Sequence, residues 1–184
     1  MVRLCGITTA QSWSLRIYIK ENNMAKITGI NHISFAVQDL DESIQSIKEN
    51  FGGIVIVKFQ SIEGKYIGAG VQLGDSQISF IQPTDETSFV AEFIKKKGLG
   101  IQHIGLEVDN IEEFVRQLEG KGIKVDKAGM RNEKFKEALV GPKTGFGVVL
   151  QLTQWRDGPM DLTPEGKERG MQKYRETPGL RIIE

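Results

Sequence analysis

Hydrophobic positions along the chain follow first a strand-like and then a helix-like spacing, and the whole sequence of spacings occurs twice. Ile30 to Val37 is rich in Ile, Val and Phe and reads as a strand. Asp39, Asp41 and Glu42 then open a segment in which Leu40, Ile44 and Ile47 share one helical face, predicting a helix through Glu49. Gly52-Gly53 ends it. Three strand runs follow, Ile54 to Phe59, Tyr66 to Leu73 and Gln77 to Gln82, with Gly74-Asp75 as the turn between the last two. The order then recurs. Ile101 to Val108 is a strand, and Ile111, Val115 and Leu118 mark a helix from Asn110 to Glu119, stopped by Gly120-Lys121-Gly122. Ile123 to Lys127, Lys136 to Val140 and Gly147 to Gln154 complete it, with Gly141-Pro142-Lys143-Thr144-Gly145 as a turn.

The pattern predicts an α+β fold of two tandem βαβββ modules, residues 27–86 and 101–154. A linker at 87–100 carries a helix from Phe89 to Lys97, on which Phe89, Phe93 and Ile94 share a face. Residues 1–26 are an N-terminal extension and 155–184 a C-terminal arm. The arm holds a helix-compatible run from Pro164 to Arg175, with Thr163 as its cap and Pro164 at the first helical position. It reads as a surface arm or a subunit-interface segment, with a lid over a pocket as the alternative.

Composition narrows the function classes. The 184 residues hold 24 Lys plus Arg and 24 Asp plus Glu, so no global field draws the chain to nucleic acid or an acidic membrane. No apolar run approaches a membrane span. The single cysteine, Cys5, excludes an intrachain disulfide and a cysteine metal cluster and fits a reducing compartment, and the expected location is cytoplasmic. Residues 1–23 hold Arg3, Arg16 and Lys20 against one acid, Glu21. They read as an extension ahead of a start at Met24, with an organelle transit peptide and a matrix location as the alternative.

Candidate chemistry sits on the repeat. The chain has two histidines, His32 and His103, at equivalent positions on the first strand of each module. Alternation puts His32 with Ile30, Ser34 and Ala36, opposite Asn31, Ile33 and Phe35, and gives His103 the same parity. Two repeat-related imidazoles can be brought together by a pseudo-twofold, and imidazole is the commonest protein metal ligand. Aligning the last strands pairs Ser79 with Gln151, so the candidate metal set is His32, Ser79, His103 and Gln151, with Gln77 as a substitute for Ser79.

Asn31-His32-Ile33-Ser34-Phe35-Ala36-Val37 and Gln102-His103-Ile104-Gly105-Leu106-Glu107-Val108-Asp109 resemble the paired motifs of the vicinal-oxygen-chelate superfamily (glyoxalases, bleomycin-resistance proteins and dioxygenases). Within it, Leu73-Gly74-Asp75, the linker from Pro83 to Lys97, and Gly141 to Leu150 are most similar to methylmalonyl-CoA epimerases. The resemblance spans roughly residues 27 to 154. It implies a curved, half-barrel-like sheet of eight strands. It also implies a divalent metal (cobalt, manganese, nickel, zinc or iron are not distinguished) on a histidine from each first strand and a Gln or Glu from each last strand. Ser79 stands where a Gln or Glu is usual, and Gln151 where a Glu is usual, so the His, His, Gln set is uncharged and weaker, or holds no metal at all.

The resemblance places a catalytic Glu near Glu63 and the opposing acid-base position at Gln151, whose amide cannot take a proton. Glu63 also reads as a solvated turn residue, and Glu107, of the same parity as His103, as a surface residue with a carboxylate role as the alternative. Lys143, Met130 and Trp155 are candidate pocket residues, and Lys95-Lys96-Lys97 and Lys134-Phe135-Lys136 are candidate cationic partners for CoA phosphates. The reading is a metal-dependent isomerase or lyase that forms an enolate from an acyl-CoA or a small oxygenated acid. The alternatives are a small-molecule-binding member with a degenerate metal site and, less favoured, an extradiol-type dioxygenase. The expected partners are a small molecule and a second copy of the chain, since a half-barrel leaves strand edges open.

Overall fold

A computed structural model describes residues 24–131, 135–158 and 161–183. The sequence expectations for residues 1–23 and for Lys134 lie outside these. Among the described residues nine strands form a single mixed sheet in the order β6-β7-β8-β5-β1-β4-β3-β2-β9. The first module supplies β1 (Ile27–Ala36), α1 (Leu40–Phe51), β2 (Ile54–Ser61), β3 (Tyr66–Leu73) and β4 (Ser76–Pro83). After α2 (Phe89–Lys97), the second supplies β5 (Gly100–Val108), α3 (Ile111–Gly120), β6 (Val125–Asp126), β7 (Phe135–Val140) and β8 (Val149–Trp155). The two modules pair within the chain. β1 and β5 run antiparallel at the centre, β4 lies parallel to β1, and β8 lies parallel to β5, so the halves are related by a pseudo-twofold between β1 and β5.

Local chemistry sets the element ends. Asp39 caps α1 by accepting from the Glu42 amide at 2.9 Å, and Gly52, at φ +69°, ends it with its N–H on the Ile47 carbonyl. Asn110 caps α3 in the same way, accepting from the Glu113 amide at 3.1 Å. The helices cover one face of the sheet. Leu40 of α1 is buried against Ala69, Val71 and Phe80, and Ile111 and Val115 of α3 against Val108, Ala138, Val140 and Leu152. The other face curves around a cavity of about 890 Å³ lined from β2 at one side to β7 at the other.

The structure departs from the expected elements in three places. The run Ile123 to Lys127 forms only the two-residue β6, because local bonds take up its ends. The Ile123 amide donates to Leu118 as α3 closes, and the Lys127 carbonyl accepts from Met130 in a 3-10 turn at Ala128–Arg131. β8 begins at Val149 rather than Gly147, because Phe146 and Gly147 both adopt positive φ and extend the preceding turn.

The largest departure is the C-terminal arm. It folds as α4 (Pro164–Glu176) and β9 (Leu180–Ile183), and β9 adds a ninth strand antiparallel to β2. The open edge expected at β2 is therefore covered. α4 spans the cavity, with Tyr174 stacked on Phe59 of β2 at 4.5 Å and Lys173 over Phe135 of β7. Residues 173 and 174 and the stretch 176–180 line the cavity. The arm is thus part of the cavity wall, not a free surface segment.

Candidate metal and substrate site

Two matched irregularities build the centre of the site. In the β1–β5 ladder Ile30 pairs with Leu106 and His32 with Gly105, leaving Asn31 as an extra residue on β1. Further along, Ser34 pairs with His103 and Phe35 with Ile101, leaving Gln102 as an extra residue on β5. Each bulge breaks simple alternation just before a histidine. Asn31 therefore lines the cavity together with His32, and Gln102 together with His103, whereas strict alternation had put Asn31 on the far face.

The two bulged amides orient the rings. His32 Nδ1 is 2.9 Å from Asn31 Oδ1, and His103 Nδ1 is 2.5 Å from Gln102 Oε1. A carbonyl oxygen only accepts, so with both amides in this orientation each Nδ1 carries the hydrogen and each Nε2 keeps its lone pair. Those Nε2 atoms lie 3.0 Å apart, with the rings edge to face at 88°. Two lone pairs this close need a proton or a cation between them. Protonation is disfavoured. Burial, then the neighbouring His103 and Lys173, hold His32 well below the ordinary imidazole range. Burial, then Lys173, bring His103 down to about 4.

A divalent metal fits this geometry, because two nitrogens about 2.1 Å from one metal and at a right angle stand about 3 Å apart. The strand register pairs the remaining candidates as the repeat requires: Ser79 lies beside Ser34 across β1–β4, and Gln151 beside Gly105 across β5–β8. Both line the cavity, as does Gln77. Among the described residues no three His, Cys, Asp or Glu side chains cluster, so a third protein donor has to be an amide or a hydroxyl. Gln151 supplies a suitable atom. Its Oε1 is buried without a hydrogen-bond partner, while its Nε2 donates to Glu137 Oε2 at 2.6 Å.

Glu137, on β7, is the residue that sequence reasoning missed. Position 151 holds an amide, and the carboxylate stands one strand away, hydrogen-bonded to that amide. Its charge polarises Gln151 and makes Oε1 a better donor to a cation. Gly129, in the 3-10 turn, packs so closely on Glu137 that a side chain there would collide with it. Glu137 also adds to the burial that pushes Tyr66 up to about 12 and raises Tyr174. The hint in the sequence is an acidic residue that shares a strand face with Phe135 and Leu139.

The other expected residues are scattered. Glu63 is exposed at the cavity rim in the β2–β3 turn, beside Gly179. Trp155 lines the cavity with its ring edge-on to Phe135. Met130 packs against the core of the second module, and Lys143 sits in the exposed turn after β7, neither lining the cavity. Glu107 lies on β5 away from it. Lys95 to Lys97 are exposed at the end of α2, where Lys96 pairs with Glu92, and Lys136 pairs with Glu112.

Gly105 gives a direct test of the ring geometry. A Cβ there would come within 2.5 Å of His32 Nδ1. Gly105→Ala is expected to push His32 off its Asn31 contact and weaken metal affinity about tenfold or more, as changes that misorient a ligand do. Calorimetric metal titration of both proteins checks this, and unchanged affinity would show that the ring position does not matter.

Residues 31–139 match the Glyoxalase/Bleomycin resistance protein/Dioxygenase superfamily. The mitochondrial methylmalonyl-CoA epimerase of Homo sapiens is 30% identical over 133 residues, covering 68% of this chain and 73% of that protein. The crystal structure of methylmalonyl-CoA epimerase from Mycobacterium tuberculosis superposes with a TM-score of 0.63 at 26% identity, over 70% of this chain and 88% of that one. A Streptomyces coelicolor methylmalonyl-CoA epimerase variant in complex with 2-nitronate-propionyl-CoA shares the fold, with a TM-score of 0.65 at 24% identity over 71% and 99%. Matched bulges, facing imidazoles and these likenesses agree: the chain belongs to the glyoxalase/bleomycin resistance protein/dioxygenase superfamily and has the vicinal-oxygen-chelate fold.

Proposed function

We propose that the protein is a metal-assisted isomerase or lyase that forms an enolate from an acyl-CoA resembling methylmalonyl-CoA, or from a small oxygenated acid. The observation that carries this reading is the His32–His103 pair, with Nε2 atoms 3.0 Å apart in a cavity that Gln151, whose Oε1 has no partner, also lines. His32, His103 and Gln151 would hold a divalent metal, which when bound would supply Lewis-acid stabilisation of negative charge on a carbonyl oxygen.

The chain's own residues do the rest. Moving a proton from one face of a carbon to the other needs two acid-base groups on opposite sides. Glu63 comes from the first module and Glu137 from the second, and both line the cavity. Glu137 takes the role that the Gln151 amide cannot. α4 and β9 cover one side of the cavity and limit its access to water. The uncharged donor set favours a second reading, binding without turnover, in which the same cavity holds a small molecule. The location proposed is the cytoplasm or, by analogy with the mitochondrial human relative, an organelle matrix. A homodimer is proposed as the assembly.

The test is hydrogen exchange. Protein reconstituted with cobalt or manganese is incubated in deuterium oxide with methylmalonyl-CoA, and in parallel with small 2-oxo and 2-hydroxy acids, and deuterium at the α-carbon is followed by NMR. Exchange that a chelator abolishes is expected. Its absence from every substrate, with metal bound, would leave the binding reading.

A further inference from the structure

The C-terminal helix brings into the cavity a charge that the repeat does not account for. Lys173 projects from α4, and its Nζ lies 3.7 Å from the centroid of Phe135, 5.4 Å from that of Tyr174 and 5.5 Å from that of Trp155. Among the described residues, no hydrogen bond or ion pair reaches this ammonium. Three ring faces return only a small part of the hydration that an ammonium loses. Burial accordingly pulls Lys173 below the ordinary lysine range, against an attraction from Glu137 that is not an ion-pair contact. The charge lies near the metal-binding pair, since it acts on both His32 and His103.

We infer that Lys173 is the anchor for a carboxylate on the molecule that the cavity binds, so that the ligand class is a small organic acid, or an acyl thioester with a free carboxylate, rather than a neutral compound. An anion placed there would meet the unpaired ammonium and lie beside the imidazole pair at the same time. It would replace lost hydration with a charge-assisted hydrogen bond, the strong kind in a cavity with little water. The anchor comes from outside residues 31–139, so this selectivity belongs to the arm of this chain and not to the two repeated modules. Tyr174, the next residue, is stacked on Phe59 and holds this turn of the helix against β2.

The inference deepens the proposed function and rests on the cavity being the ligand site, but it does not need the metal. The test therefore uses chelator-treated full-length protein. Calorimetry measures binding of malonate and of malonamide, which has a similar shape and no charge, to the wild type, Lys173→Met and Lys173→Arg. The wild type is expected to prefer malonate by about tenfold or more, the methionine variant to lose that preference with malonamide affinity unchanged, and the arginine variant to keep it. Equal affinity for the two compounds in the wild type, no detectable malonate binding, or a preference that survives in Lys173→Met would each overturn the inference. The wild-type comparison decides even where the methionine variant does not fold. Lys173-dependent malonate binding with no hydrogen exchange would support this anchor and reject the enolate chemistry. Exchange without any Lys173-dependent preference would do the reverse.

Discussion

Protein with alanine at both His32 and His103 is expected to carry no divalent metal after purification, and to bind added cobalt or manganese at least about a thousandfold more weakly than the wild type. The argument is one of donors. Both Nδ1 atoms are committed to Asn31 and Gln102, so the Nε2 atoms 3.0 Å apart are the only free imidazole lone pairs at the centre. With the rings gone, Gln151 and Ser79 remain, two neutral oxygens that cannot by themselves displace a metal's water. The pH dependence follows from the same geometry. Both imidazoles have folded-state pKa values below the usual 6.5, so they are neutral at pH 7 and give up no proton when metal arrives. Affinity is expected to be nearly flat between about pH 6.5 and 8 and to fall only in acid, as pH drops toward the folded value of His103 near 4. Elemental mass spectrometry of both proteins and metal titration across pH check this. Stoichiometric metal retained by the double variant would place the metal elsewhere.

Glu137→Gln is expected to slow hydrogen exchange about a hundredfold or more at saturating metal, the usual scale of an acid-base group. The substitution keeps the size of the side chain and lets the amide at 137 still accept from Gln151 Nε2, so the strand pairing and the packing of Gly129 are kept. What it removes is the charge. If Glu137 only orients Gln151, the loss would appear in metal affinity and vanish once metal saturates. If Glu137 moves the proton, the loss persists at saturation. Full activity at saturating metal would sink the proton-transfer role. Glu63→Gln, measured in parallel, reports on the cavity-lining carboxylate of the first module.

The architecture was legible in the amino-acid order because repeated spacing is a local property. Leu40, Ile44 and Ile47 in one module and Ile111, Val115 and Leu118 in the other mark helices by periodicity alone. The caps Asp39, Asn110 and Thr163 are single-residue chemistry. The two histidines, and the pairing of Ser79 with Gln151, followed from aligning one module on the other.

Tertiary structure decided the rest, and for a common reason: each feature depends on which distant strand lies alongside. The bulges at Asn31 and Gln102 exist only in the β1–β5 ladder, and without them neither amide could hold a ring. Glu137 gained its meaning from β7 lying beside β8, which put a carboxylate against the amide at 151. The arm has no repeat partner, so nothing in its order says what it will cover. Only the pairing of β9 with β2 and the stack of Tyr174 on Phe59 carry Lys173 into the cavity. The sequence by itself determined two modules with a histidine at the same position of each, because periodicity and repetition are written along the chain. The charge around them was decided by the packing of strands and a helix far apart in sequence, because the field at a site depends on distance in space.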